Sequence, residues 1–279
     1  MKIILSRKAF DSGAGRVANP ILDDGTMLPL PIPDKTSPIR YEDINLAGHN
    51  LGHVASDLTG GRTRANHFAH LDPDLDEPAL KREPGWRPLL GQAGAAQSVL
   101  GREQVGPGDL FLFFGWFRRA SNAGGRYRYV PREPNLHVLW GWLQVGDVVP
   151  VESGPLPGWM SYHPHLASGR PLVADHLYVA RRNLVLDGIE LDLPGAGRFP
   201  KFKSQLQLTA PGFGRSNWRL PAWFAPLSDR PPLGYHARSD RWQVHDDHVL
   251  LKTVGRGQEF VLDADAYPEA QEWAMRLIC

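Results

Sequence analysis

Apolar positions along the chain come in short runs broken by Gly, Pro and charged residues, a pattern of strands and irregular loops more than of long helices. Ile3, Ile4 and Leu5 define a first buried strand over Lys2 to Ser6. Leu110-Phe111-Leu112-Phe113-Phe114-Gly115-Trp116-Phe117 is apolar without interruption, which predicts a strand covered on both faces and therefore the centre of the main sheet. Leu136 to Val145 predicts a second core strand, antiparallel to it. Leu177 to Ala180, Leu184 to Leu186, Leu206 to Leu208 and Trp242 to Val244 predict further strands.

Asp24-Gly25 marks a hairpin turn within Ile21 to Pro33, and Pro29, Pro31 and Pro33 keep the following segment out of a central strand. Tyr41 to Leu46 fits a short helix or a strand. Leu46 to Asp76 has little periodicity and reads as a long polar loop. Helices are expected over Gly91 to Arg102, where alanines raise propensity, and over Glu269 to Ile278, where Trp273 and Leu277 share a face. The expected class is α+β, a mostly antiparallel, curved sheet or small barrel with a few peripheral helices. No repeat or linker divides the chain, so residues 1–279 read as one domain.

Composition narrows this picture modestly. Hydrophobic residues make up 42% of the chain, enough for a large core. Lys+Arg number 31 against 30 Asp+Glu, a balance that disfavours a duplex held by charge alone and leaves only local basic patches, such as Arg118, Arg119, Arg126 and Arg128. Cys279 is the only cysteine, which excludes an intrachain disulfide and a Cys-based zinc site and fits a reducing, cytoplasmic compartment. No apolar run is long enough for a membrane span. There is no Walker A loop, no Rossmann fingerprint and no nucleophile elbow.

Candidate chemistry lies in the loops. The first strand runs into Arg7-Lys8-Ala9-Phe10-Asp11-Ser12-Gly13-Ala14-Gly15-Arg16, a setting that suits a phosphate or another polar ligand and equally suits a solvated turn. His67-Phe68-Ala69-His70-Leu71-Asp72-Pro73-Asp74 could supply metal ligands or an acid/base pair, although no standard metal-ligand spacing is met. Asp72 and Asp74 as turn formers are the plain alternative. His163 and His165 flank Pro164, and on an extended segment both would face one side, with His137 able to join them; partly buried imidazoles without a role are the alternative. Trp116 and Arg118, with Trp140 and Trp142, can stack on a base or fill the core. Arg215 and Ser216 can hold an anion or cap a turn. Gly255-Arg256-Gly257-Gln258-Glu259 enters a strand, with Gln258 or Glu259 able to face a pocket, although a surface hairpin is the plainer reading.

The order of several of these segments resembles a known family. Ile3 to Ser12, Asn19-Pro20-Ile21-Leu22 with Asp24-Gly25, Leu30-Pro31-Ile32-Pro33, His70-Leu71-Asp72-Pro73-Asp74-Leu75, Gly91-Gln92, Gly108 to Phe117 and His137-Val138 are similar to the third of the nucleotide modification associated domains. The resemblance spans most of the chain. It implies an association with modified nucleotides in bacteria and their viruses, without a defined reaction. Where the family pattern leads one to expect Gly after Lys8, this chain has Ala9.

Two functions are therefore expected. One is an enzyme that modifies or cleaves a nucleotide or nucleoside, with His70, Asp72, Asp11 and His137 as catalytic groups. Its binding groups would be Arg7, Lys8, Arg16, Gln92, Trp116, Arg118, His163, His165, Arg215 and Ser216. The other is a non-catalytic module that recognises a modified base. The expected partner is a nucleotide or nucleobase, with nucleic acid possible and no membrane. The sequence names neither a metal nor a cofactor, and it leaves the oligomeric state open.

Overall fold

The computed structural model describes residues 1–152, 154–167, 174–226, 230–255 and 257–279. In chain order its principal strands are β1 (Lys2–Arg7), β2 (Asn19–Ile21), β3 (Leu89–Gln92), β4 (Leu110–Ala123), β5 (Arg126–Tyr129) and β6 (Leu136–Pro150). They are followed by β7 (His176–Ala180), β8 (Ala196–Arg198), β9 (Asn217–Pro221), β10 (Trp242–Val244), β11 (His248–Lys252) and β12 (Glu259–Asp263). The helices are α1 (Leu51–Leu58), α2 (Gly94–Arg102), α3 (Pro164–Ala167) and α4 (Glu269–Ile278).

The main sheet runs β12-β1-β4-β6-β7-β3, with β2 and β5 paired to β4 and β8 paired to β6. β1 and β2 lie parallel to β4, and the other pairs are antiparallel. The apolar run of β4 takes the central place expected of it, and Phe111, Phe113, Phe114 and Phe117 are fully buried. A register shift between Leu139 and Gly141 lets the long β6 bend, which raises local twist and curvature. The sheet curls until its two end strands meet through side chains: Gln92 of β3 donates to Glu259 Oε1 of β12. No backbone ladder closes this gap, so the sheet is curved and mixed but not a barrel. Strands β9, β11 and β10 form a separate small sheet.

Three expectations need correction. The stretch from Leu46 to Asp76 contains α1, started by Asn50, whose side chain accepts from the N–H groups of Gly52 and His53. Leu51, Val54, Ala55 and Leu58 are buried along one stripe of this helix, a helical period that its His and Gly neighbours obscure. The expected helix over Gly91 to Arg102 begins only at Gly94, because Gly91 and Gln92 pair with β7 as part of β3. Leu206 to Leu208 is not a strand; a 3-10 turn covers Ser204–Leu206. Tyr41–Asp43 is also a 3-10 turn.

Candidate functional site

Three loops carry polar groups to the end of the curled sheet where β1 and β3 finish and β12 begins. His70 is fixed by a two-residue ladder, Ile32 pairing with His70 and Pro33 with Ala69. Asp72 follows, joined to Pro73 by a cis peptide bond. His163 and His165 come from the turn at the start of α3, which is helical rather than the extended segment expected, and their ring centroids lie 5.4 Å apart.

These groups converge on Asp72. His70 Nε2 and His165 Nε2 each lie 3.9 Å from Asp72 Oδ2, and His163 Nε2 lies 3.4 Å from Oδ1. The Gly91 N–H donates to Oδ1 at 2.6 Å. The outer nitrogens of two rings are held by carboxylates: His70 Nδ1 meets Asp34 at 2.9 Å and His165 Nδ1 meets Asp175 at 2.5 Å. A carboxylate accepts from the imidazole, so Nδ1 of each ring carries a proton, and the Nε2 facing Asp72 offers a lone pair when the ring is neutral and an N–H when it is charged. His163 is the reverse. Its Nδ1 accepts from the His165 N–H at 3.4 Å, which leaves the proton on a fully buried Nε2 with no well-aligned partner.

Electrostatics separate the members of this cluster. Burial opposes the charge of Asp72, but the His163 contact, the positive charge of Lys8 and the two nearby imidazoles outweigh it and hold the carboxyl far below its usual range. Burial lowers His70, against the pull of Asp72 and Asp34. For His165 burial acts the same way, yet the Asp175 hydrogen bond and the Asp72 charge prevail and raise it above the ordinary imidazole value. Asp74, two residues after Asp72, is locked by Arg82 at 2.6 and 2.7 Å and by the Tyr162 hydroxyl at 2.7 Å. It serves the local framework.

Beside the cluster Lys8 Nζ sits 3.5 Å from Glu259, a carboxylate that also accepts from Ser6 Oγ at 3.1 Å and from Gln92. Burial pushes Glu259 up, with Lys8 and Ser6 opposing. Arg7, Lys8, Asp11, His70, Asp72, Gln92 and His165 all line one cleft of about 180 Å3. That is smaller than the roughly 300–1,000 Å3 of a pocket enclosing a drug-sized ligand, so it suits one polar part of a ligand. Arg7 donates to the carbonyls of Val254 and Gly255, and its charge is felt by Asp11 and Arg215. Arg215 stacks on the half-buried Trp116 at 4.2 Å.

Other expected site residues lie elsewhere. His137 is buried in β6, where its Nδ1 accepts from Trp218 Nε1 at 2.9 Å and its ring packs on Phe114. Arg118 donates to the Val130 carbonyl and lies over Tyr129. Arg16 is an exposed loop residue at φ +60°. Ser216 offers its backbone carbonyl to Thr253. Trp140 and Trp142 belong to the core. Arg256 lies outside the described residues. A larger open groove of about 690 Å3 runs past Arg219, His248, Trp273 and Arg276, but among the described residues no comparable cluster of imidazole and carboxylate groups converges in it.

Sequence reasoning did not single out Asp34 or Asp175, and it read Glu259 as the plainer surface hairpin. Ladder pairing places Asp34 beside His70, and register places Glu259 opposite Ser6. Neither relation leaves a local motif.

Fold and site together define an α+β protein whose curled sheet presents a His/Asp cluster and a flanking Lys/Glu pair in one polar cleft. The chain belongs to the family described as nucleotide modification associated domain 3, which it matches over residues 2–263. No curated protein and no solved structure matches it. Among the described residues no helix is long and apolar enough to cross a membrane.

Proposed function

We propose that this chain is an enzyme that modifies or cleaves a nucleotide, nucleoside or base, with its reacting centre at Asp72 and the surrounding histidines. The observation that carries this reading is the convergence of His70, His163 and His165 on one buried carboxylate beside a polar cleft, in a chain of a nucleotide-associated family. Groups so arranged, with outer carboxylates fixing two ring tautomers, are suited to hold and activate a hydroxyl or water. Arg7 and Lys8, which line the cleft, are the proposed contacts for a phosphate or carboxylate. Trp116, backed by Arg215, offers a flat face for a base.

The test is a product survey by mass spectrometry, using nucleoside mono-, di- and triphosphates and nucleosides carrying modified bases. The wild type is expected to convert at least one of them, and His70→Ala and Asp72→Ala to slow conversion by roughly 100-fold or more. Full turnover in both variants would remove the assigned centre. Saturable binding of a base without any product would replace catalysis by recognition.

A further inference from the structure

We infer that His70 Nε2, Asp72 Oδ2 and His165 Nε2 are the ligands of one divalent transition-metal ion, whose remaining coordination positions open into the cleft. The inference rests on the reading of this cleft as a working site, and it names the ion on which that site depends.

Geometry supplies the first support. The three ligand atoms lie within 4.8 Å of one another, and each nitrogen is 3.9 Å from the shared carboxylate oxygen. Bonds of about 2.0–2.2 Å to a common ion place ligand atoms roughly 3–3.5 Å apart. Binding therefore asks each nitrogen to close on the carboxylate oxygen by roughly half an ångström or more, and the two nitrogens to close on each other by up to about 1–2 Å, a movement made by χ rotations of the two rings.

The surroundings give the second support, independent of the first. Asp34 and Asp175 each hold the Nδ1 of a ligand histidine, the outer-shell pattern that fixes ring orientation and leaves Nε2 as the donor atom. The two oxygens of Asp72 have different surroundings. Oδ1 accepts from Gly91 and faces the fully buried His163 Nε2, which has no well-aligned partner, while Oδ2 faces the two free imidazole nitrogens.

Charge balance points the same way. Asp34, Asp72 and Asp175 have side-chain exposures of 21%, 5% and 2%, and among the described residues none of them forms an ion pair with Lys or Arg. Besides the histidines they accept from neutral donors, Thr36 for Asp34 and the Gly91 N–H for Asp72. Lys8 faces the same cleft but is paired with Glu259. Asp72 and Asp175 are buried, and buried carboxylates without a counter-cation are costly, so a divalent ion supplies the missing charge. Two imidazoles with one carboxylate favour a zinc, iron, cobalt or manganese ion over the oxygen-only sites of magnesium and calcium. Such an ion would act as a Lewis acid or lower the pKa of a bound water.

The experiment uses the full chain, stripped with a chelator and dialysed. Co2+ is titrated while its visible absorption is followed, and Zn2+ binding is measured by calorimetry. One ion per chain is expected. Asp34→Asn, which removes the charge behind His70 while keeping an oxygen for Thr36 to donate to, should weaken binding by roughly 10- to 100-fold, and His165→Ala by more than that. His245→Ala, on the exposed turn before β11, should change nothing. Circular dichroism confirms that each variant is folded, and the conservative Asp34→Asn keeps the test decisive if His165→Ala is not. Absence of saturable binding, or unchanged affinity in both variants, overturns the inference. Nucleotide turnover that persists in fully stripped protein overturns the metal and leaves the nucleotide reading standing. One bound ion with no nucleotide bound or converted supports the metal and sinks that reading instead.

Discussion

Gly91 ties the fold to the site, and replacing it with alanine is the most informative single perturbation. The residue lies in β3, its N–H holds Asp72, and the His165 ring covers its α-carbon. A β-carbon there would sit 2.4 Å from His165 Cδ2 and 2.6 Å from both Cγ and Nε2. Carbon atoms in contact need about 3.5–4.0 Å, so the ring or the strand must give way by at least about 1 Å. The ring is tethered to Asp175 at 2.5 Å, and the strand is held by the pairing of Gly91 with Leu177. Overpacking of this kind costs about 1–3 kcal/mol. That corresponds to a fall in melting temperature of roughly 2–10 °C for a chain of this size. A displacement of about 1 Å at a reacting centre lowers turnover on the order of 100-fold.

Gly101→Ala is the matched control. Gly101 lies within α2 and a β-carbon there meets nothing within 4 Å, so alanine should stabilise the helix by up to about 1 kcal/mol. Calorimetric melting of both variants, with metal affinity and turnover measured on the same samples, gives the comparison. If Gly91→Ala melted and bound metal like the wild type, the packing of His165 on β3 would be wrong.

Three further outcomes are expected. Glu259→Ala should destabilise the chain by about 3–5 kcal/mol because it strands the buried Lys8 charge, whereas Lys8→Met with Glu259→Gln should cost clearly less than the sum of the single changes in a urea double-mutant cycle. His137 is pushed by burial, and by Arg7 and Arg215, down to about 3. Its folded value lies below the unfolded value near 6.5, so the unfolded chain takes up the proton first. The stability involved is fully present above about pH 6.5 and is lost as pH falls toward 3, at up to about 1.4 kcal/mol per pH unit. His137→Asn, which keeps an acceptor for Trp218, should flatten that slope in urea titrations run at several pH values. Ala9 sits at φ +71°, in the left-handed region, so Ala9→Gly should raise stability by up to about 1 kcal/mol in thermal melts; a loss would mean that the methyl packs well enough to offset its strain.

What could be read in advance follows from where the information is stored. β4 and β6 were legible because strands covered on both faces carry an unbroken apolar run. α4 was legible from the spacing of Trp273 and Leu277. α1 was not, since four apolar residues on one stripe are a thin signal among His, Asn and Gly. For the site, Lys8, His70, Asp72, Gln92, His163 and His165 stood out as polar groups at loops and strand ends, and the structure brings them together. Arg118, Ser216 and His137 stood out by the same criterion and lie apart from the cluster, because residue type does not encode convergence. Asp34, Asp175 and Glu259 depend on ladder pairing, a turn after a separate segment and strand register. These are properties of the assembled sheet rather than of any local stretch.

The proposed seat of nucleotide chemistry is the His70–Asp72–His165 cluster. Nitrogen-detected NMR of the imidazole rings tests it most directly, with the histidines assigned through variants and nucleoside monophosphates titrated into metal-loaded protein. The expected result is Nδ1–H signals for His70 and His165, Nε2–H for His163, and ligand-induced shifts confined to these three rings. Shifts at His248 in the open groove, with His70, His163 and His165 unmoved, would contradict it.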